Sequence, residues 1–352
     1  MSINTRDAGF AVAEVESSPP VRMGILGTGR IGRMHAGLLA REVPGTAIAV
    51  VSDVNASVAA HVGEGLGVPS ASIESVLGSS DVDAVAICTS TDTHVDLIVA
   101  AAQAGKAIFC EKPISLDIAQ VDRALAAVEQ AGVPFMVGFN RRFDPGHASV
   151  YEAVRRGDVG DLHTVHITSR DPAPPPPEYV AVSGGIFLDM TIHDFDMARH
   201  VVGSEVVEVF ARGAVRIDPR IGEAGDVDTA VTILTHADGT LTTIENSRQA
   251  VYGFDQRIEA FGSAGAAVSG NPARHAGYVI GTEHTRSQPL PHFFLDRYLE
   301  SYRLEWAAFA AYVRGGGPSP VDIESGRAPV LIGIAATRSL REGRPVTIAE
   351  VL

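Results

Sequence analysis

The sequence predicts an α/β protein in two parts. A doubly wound parallel sheet comes first, followed by an α+β region built on a mostly antiparallel open sheet with helices on one face. Three observations predict this. Apolar runs alternate with helical patterns from Val21 to Phe139, as parallel strands joined by right-handed crossovers require. Beyond Val206, the runs Val206–Ile217, Val227–Thr235, Thr240–Ser247 and Gln256–Phe261 alternate apolar and polar with period two, as strands buried on one face do. A length of 352 residues suits about two domains.

The first strand, Val21–Leu26, leads into Gly27-Thr28-Gly29-Arg30-Ile31-Gly32, and a helical pattern runs from Arg33 to about Arg41. The second strand, Ala47–Ser52, ends at Asp53, about 20 residues past Gly32. Strand, glycine turn, helix, strand and acid in that order form the dinucleotide fingerprint of a Rossmann domain. The first glycine permits the tight turn and the second lets backbone approach a pyrophosphate. The third packs helix on strand, and the helix N-terminus faces the phosphates. Asp53 is placed to accept hydrogen bonds from the adenosine ribose hydroxyls and to repel a 2′-phosphate, so NAD is the expected cofactor.

Ala56–Leu66 reads as a helix, Asp83–Ser90 as a buried strand and Thr93–Ala104 as a helix. Lys106–Cys110 is a strand, Leu116–Gln130 a helix and Val133–Phe139 a strand. Ligands of such sheets bind beyond the carboxyl ends of the strands. There lie Thr89, Ser90 and His94, then Glu111, Lys112 and Pro113, then Asn140, Arg141 and Arg142. Residues 1–20 read as a poorly ordered extension, 21–140 as the dinucleotide-binding domain and 141–352 as a substrate-binding and oligomerisation domain. In the latter, Ala148–Arg156, Ile186–Val202, Phe294–Val313 and Ile323–Arg341 read as helices, His163–Ser169 as a strand, and Pro172 with Pro174–Pro177 as a proline-rich loop at the surface or in a site wall.

Within Ile186–Val202, Asp189 and His193 stand four apart and share one face of the expected helix, with Asp196 and His200 continuing the stripe. A carboxylate beside an imidazole suits a proton-handling base. The same spacing also suits a packed helix face or a pair of metal ligands, though no third ligand stands at an obvious spacing. Gly184-Gly185 just ahead would let the helix end approach a ligand.

Lys and Arg number 28 against 42 Asp and Glu, a net charge of −14. Such a chain repels nucleic-acid phosphates and anionic membranes. The longest mainly apolar runs, such as Val82–Cys88, are too short to span a bilayer, and acidic residues interrupt any signal-peptide core near the N-terminus. Two cysteines without C-x-x-C spacing exclude a disulfide scaffold and a structural zinc site, and suit a cytoplasmic setting.

Gly27–Gly32, Glu111-Lys112-Pro113 and Gly185–Asp194 resemble the motifs of the glucose–fructose oxidoreductase/inositol dehydrogenase/rhizopine catabolism superfamily. Gly138–Asp144, Thr168–Pro174, Phe187–Arg199 and Asn246–Arg257 resemble its bacterial inositol 2-dehydrogenases in particular. The resemblance spans about Val21 to Leu352. It implies NAD-dependent oxidation of myo-inositol to 2-keto-myo-inositol without a metal, in a cytoplasmic homotetramer joined through the open sheet. By position it implies Lys112, Asp189 and His193 as the catalytic set, with His193 the base, Lys112 the donor to the same oxygen and Asp189 their orienter. Asn140, Arg141 and Asp171 would lie near the substrate; Thr89, Ser90, His94, Glu111 and Lys112 would join the glycine turn at the cofactor. Phe254 departs from the pattern, standing where many relatives carry Tyr. A dehydrogenase of another cyclitol or a pyranose sugar fits the same motifs. A nucleotide-sensing regulator without turnover fits the fold alone.

Overall fold

A computed structural model of the chain describes residues 19–315 and 317–352. The extension expected over 1–20 therefore lies, except for Pro19 and Pro20, outside the described residues. The chain forms two compact units that interleave in sequence. One comprises residues up to Glu111 with Arg123–Met136 and Glu305–Asp322; the other comprises Lys112–Asp122, Val137–Leu304 and Ile323–Leu352. The sequence alone suggests a single boundary after Asn140.

The first sheet contains β1 (Val21–Leu26), β2 (Thr46–Ser52), β3 (Ala84–Ile87), β4 (Ala107–Glu111) and β5 (Phe135–Gly138), in the order β2-β1-β3-β4-β5. β1 pairs parallel with β2 and β3, and β3 with β4. β3 and β5 are buried along their whole length, which is why they read as continuous apolar runs rather than alternating ones. The connecting helices are α1 (Arg30–Arg41), α2 (Ala56–Leu66), α3 (Ile73–Gly78), α4 (Thr91–Gln103) and α5 (Ile118–Ala131). Leu26 pairs with Ile87, and Ile87 with Cys110. This register sets the loops after β1, β3 and β4 side by side along the carboxyl edge of the sheet.

The second unit's sheet takes β6 (Leu162–Arg170), β7 (Val206–Ala214), β8 (Thr229–His236), β9 (Leu241–Ser247), β10 (Asp255–Gly262), β11 (Gly265–Ser269) and β14 (Val346–Thr347). Its order is β11-β10-β6-β9-β8-β7-β14. Every pair is antiparallel except β6 with β9, so the expected meander holds for β7-β8-β9 while β6 enters between β9 and β10. Helices α6 (Pro145–Arg156), α9 (Ile192–Val202) and α12 (Ile323–Glu342) pack on one face, closing a core that includes Val165, Ile186, Phe195, Val209, Leu234, Ile258 and Ile332. The opposite face leaves Val231, Ile233, Leu241, Phe261 and Val268 exposed. The remaining elements are α7 (Pro177–Val180), α8 (Gly185–Asp189), α10 (Pro219–Glu223), the hairpin of β12 (Tyr278–Ile280) and β13 (Thr285–Ser287), and α11 (Phe294–Val313).

Two expectations are corrected. The strand from Val206 ends at Ala214, because the Asp228 carboxylate accepts the amide N–H groups of Arg216, Ile217 and Asp218 and turns the chain. The continuous helix Ile186–Val202 does not form. It is two helices, α8 and α9, broken at Met190-Thr191, where the Ile186 carbonyl accepts the Met190 and Thr191 amides and the Thr191 hydroxyl.

Candidate active site

In the first unit the glycine turn is built as its spacing implies. Gly27 has φ +91°, and a Cβ there would stand 2.7 Å from the Cys88 carbonyl oxygen. A Cβ on Gly32 would stand 2.0 Å from the Gly27 carbonyl oxygen, whereas one on Gly29 meets nothing within 4 Å. The first and third glycines are thus demanded by the protein's own packing, and the second borders open space. Gly29 caps α1 without a side-chain bond, leaving the first-turn N–H groups, where Arg30 and Ile31 stand, to an anion. Asp53 accepts from the Thr28 amide at 2.7 Å, the Thr28 hydroxyl at 2.9 Å and the Asn55 amide at 2.9 Å. Burial opposes its charge, but these bonds outweigh burial and hold the carboxyl below its ordinary range. An ionised acid beside the turn and open space over Gly29 fit an adenine dinucleotide.

The neighbouring loops supply polar groups at the same edge. Ser90 caps α4 without a side-chain bond. The Thr89 hydroxyl accepts from Thr93 at 2.7 Å, and the buried His94 ring lies 3.2 Å from the Thr89 carbonyl. Glu111 ends β4 and bonds His35 Nε2 at 2.6 Å, while His35 Nδ1 accepts from Trp306 Nε1 at 2.8 Å. Indole only donates, so His35 carries its proton on Nε2 and donates it to Glu111. Neither His35 nor Trp306 is signalled in sequence, since 271 positions separate them.

In the second unit, Lys112, Asp189 and His193 come together. The Lys112–Pro113 peptide is cis, and Lys112 Nζ donates to the Asp189 carbonyl at 2.8 Å while standing 4.0 Å from its Oδ1. The Asp189 carboxylate accepts from the Tyr179 hydroxyl at 2.9 Å and from Arg248 at 3.1 Å. His193 opens α9 with its ring edge-on to Phe139 at 5.9 Å. Its Nδ1 is buried without a hydrogen-bond partner. Burial first, then the Lys112 and Arg141 cations, hold the imidazole well below its usual pKa.

The shared helix face is therefore not what joins Asp189 to His193. They stand on different helices, and the carboxylate bonds Tyr179 and Arg248 rather than the imidazole. Asp196 and His200 leave the site altogether. Asp196 binds Arg142 at 2.5 Å, and His200 stacks on Tyr151 at 4.0 Å. The paired glycines also have a different reason: Gly184 and Gly185 take φ +85° and +76°, and a Cβ on Gly185 would meet Asp226 at 2.8 Å.

Around this trio, Arg141 bonds Asp194 at 2.5 Å, and Asn246 bonds the other Asp194 oxygen at 2.8 Å. Asn140 is buried with Nδ2 unpartnered. The Asp171 carboxyl is pushed up to about 6, by burial first, with Asp189 and Asp194 adding to the rise and Arg248 and Arg141 opposing it. Phe254 is buried edge-on to Tyr298 at 5.8 Å, with no hydroxyl to offer. Among the described residues no three His, Cys, Asp or Glu side chains converge as metal ligands. Tyr179, Asp194, Asp226, Asn246 and Arg248 were missed in sequence. Their partners are mostly distant in the chain, and only their place inside motifs quoted for resemblance marks some of them.

A dinucleotide fingerprint, an uncharged, half-buried imidazole and a lysine ammonium on a carboxylate residue together fit an NAD-dependent oxidoreductase of alcohols. Residues 21–139 match the model of the oxidoreductase family with NAD-binding Rossmann fold, and residues 147–268 that of the GFO/IDH/MocA C-terminal domain. The chain is 46% identical to the myo-inositol 2-dehydrogenase of Thermotoga maritima, over 94% of this chain and all of that one. A crystal structure of a putative myo-inositol dehydrogenase from Sinorhizobium meliloti superposes with a TM-score of 0.90 at 44% identity, covering 93% of this chain and 99% of the other. A scyllo-inositol dehydrogenase from Lactobacillus casei, solved with bound NAD(H) and scyllo-inositol, superposes with a TM-score of 0.88 at 28% identity, covering 94% and 99%. The chain belongs to the GFO/IDH/MocA oxidoreductase family.

Proposed function

We propose that this chain is an inositol 2-dehydrogenase, oxidising myo-inositol to 2-keto-myo-inositol with NAD. The observation that carries the reading is Lys112 Nζ bonded to Asp189 beside a neutral His193 whose Nδ1 has no partner. The relatives' names support the substrate. Gly27–Gly32 and Asp53 hold the dinucleotide, with Thr89, Ser90, His94 and Glu111 at the neighbouring strand ends. Asp53 favours NAD because a 2′-phosphate would meet its charge.

When bound, NAD supplies the hydride acceptor. His193 is uncharged at neutral pH and so accepts the proton of the reacting hydroxyl. Lys112 has two N–H groups beyond the one on the Asp189 carbonyl, and one of them donates to the same oxygen as negative charge develops there. The Asp189 carboxylate, between Lys112 and Arg248, accepts from a neighbouring hydroxyl. Arg141 and Asn140 offer donors to the rest of the ring, and Asp171 offers a carboxyl.

A second cyclitol remains a reading because scyllo-inositol differs from myo-inositol at one ring carbon, and the Lactobacillus relative is a scyllo-inositol dehydrogenase. A panel of myo-inositol, scyllo-inositol and glucose, assayed with NAD and NADP by absorbance of the reduced nicotinamide, tests both. Highest kcat/KM for myo-inositol with NAD is expected; a sugar or NADP preferred over it would overturn the reading.

No helix among the described residues is long and apolar enough to cross a membrane. We place the enzyme in the cytoplasm as a homotetramer, with residues 21–140 as its nucleotide domain and 141–352 as its substrate and assembly domain. The exposed Val231, Ile233, Leu241, Phe261 and Val268 on the open sheet support self-association. Light scattering that returns the mass of one chain at micromolar concentration would contradict it.

A further inference from the structure

The residue that fixes Asp189 is not in the catalytic set that sequence suggests. Arg248 is 1% exposed. It follows β9 directly, and its amide donates to the Asp228 carbonyl at 2.8 Å, so its backbone is anchored at the end of a central strand. Its guanidinium divides between two carboxylates, Nη1 on Asp189 at 3.1 Å and Nη2 towards Asp226 at 3.5 Å. Its buried Nε has no partner, so among the described residues these two acids are the partners of the guanidinium. Asp226 in turn accepts the Ile186 amide at 3.1 Å, at the start of α8, and Asp189 is the last residue of that helix. A five-residue helix has little stability of its own. Arg248 therefore ties both ends of the segment that presents the Asp189 carboxylate and the Asp189 carbonyl to which Lys112 is bonded.

We propose that Arg248 is a positioning residue of the hydride-transfer site, holding the Asp189 carboxylate and α8 in place so that Lys112 is aimed at the reacting oxygen. This rests on the dehydrogenase reading above. The charges concerned are few: Asp171, Asp189, Asp194 and Asp226 against Lys112, Arg141 and Arg248, with Tyr179 and His193 beside them. Among the described residues, Arg248 is the one cation hydrogen-bonded to the Asp189 carboxylate. Removing it leaves that carboxylate among other acids and takes away a cation that opposes the rise of Asp171, so Asp171 holds its proton to higher pH.

The test uses the full chain with NAD and myo-inositol, comparing Arg248→Met and Arg248→Lys with wild type and Lys112→Met. Arg248→Met is expected to lower kcat by roughly 10²-fold, comparable to loss of one preorganised electrostatic contact, with NAD affinity unchanged. The acid limb of kcat/KM should move to higher pH. Arg248→Lys keeps the charge but reaches only one carboxylate, and should return the acid limb while restoring kcat in part. If Arg248→Met does not fold, Arg248→Lys alone decides, because a purely structural arginine predicts a lower melting temperature with wild-type kcat and pH profile. Unchanged kcat and pH profile in folded variants, while Lys112→Met is inactive, overturns this role and spares the dehydrogenase reading. An active Lys112→Met overturns that reading instead.

Discussion

His193 and Asp53 show what single residues contribute. An imidazole beside two cations and out of water stays neutral, so His193 needs no carboxylate partner to be ready for a proton. Its Nδ1 correspondingly has none. Asp53 is the reverse case, kept charged by the amides of Thr28 and Asn55. On the proposed reading, replacing it with Ser removes both the ribose acceptor and the charge that would face a 2′-phosphate. In Asp53→Ser, kcat/KM with NAD should fall roughly 10- to 100-fold, the scale of a lost hydrogen bond to a charged group, while that with NADP rises or holds. Steady-state kinetics with each cofactor checks this, and an unchanged NAD:NADP ratio would remove Asp53 from the cofactor site. Both residues were legible in sequence. Asp53 follows a local fingerprint, and His193 lies in a motif carried by resemblance. Arg248 was not, because its acids lie 59 and 22 positions away and no local pattern announces a fold-made ion pair.

At the scale of elements, the glycine turn separates folding from binding. Gly32→Ala places a methyl 2.0 Å from a backbone carbonyl, so α1 must lift off β1, at a cost of roughly 1–3 kcal/mol or more. Gly29 has an ordinary negative φ of −66° and open space around it, so Gly29→Ala should leave stability within about 0.5 kcal/mol. It should nonetheless weaken NAD binding at least about tenfold, about 1.4 kcal/mol, by filling the room a pyrophosphate needs. Thermal melts with and without NAD distinguish the two. Equal NAD affinity in Gly29→Ala and wild type would contradict the assigned role of the second glycine. The α8/α9 break marks where element reading failed. Asp189 and His193 have the spacing of one helix, and the apolar period runs through Met190-Thr191 without interruption. Only the tertiary bonds of Thr191, to the Ile186 carbonyl and to Asn246 at 2.9 Å, end one helix and begin the next. The position of β6 beside β9 was likewise unreadable, because period-two alternation gives a strand's faces but not its neighbours.

At the scale of the whole molecule, imidazoles held partly or wholly out of water set the response to acid. His147 and His200 are held at about 3, and His193 and His236 also lie below the ordinary value, in each case by burial first. Below pH 6.5 the unfolded chain binds protons that these folded histidines refuse, so stability falls as pH falls, by up to about 1.4 kcal/mol per unit for each histidine. Asp171 and Asp194, whose pKa values are raised, act in the opposite sense, since the folded chain takes up their protons first. Four imidazoles outweigh two carboxyls, so the melting temperature should drop steadily from pH 7 to pH 5. His200→Gln should flatten that slope without touching the site. A melting temperature that is level or rises across this range would contradict the balance.

The whole molecule also exists to move one proton and one hydride. The most direct test of that is a double-mutant cycle on His193 and Lys112. kcat/KM for myo-inositol is measured in His193→Ala, Lys112→Met and the double variant, with NAD affinity determined separately. Each single change should lower kcat roughly 10²- to 10⁴-fold with NAD binding nearly intact, and the double variant should be little worse than the poorer single, because the proposed roles put both residues on one oxygen. Near-normal turnover in His193→Ala, or losses that multiply, would place the base elsewhere.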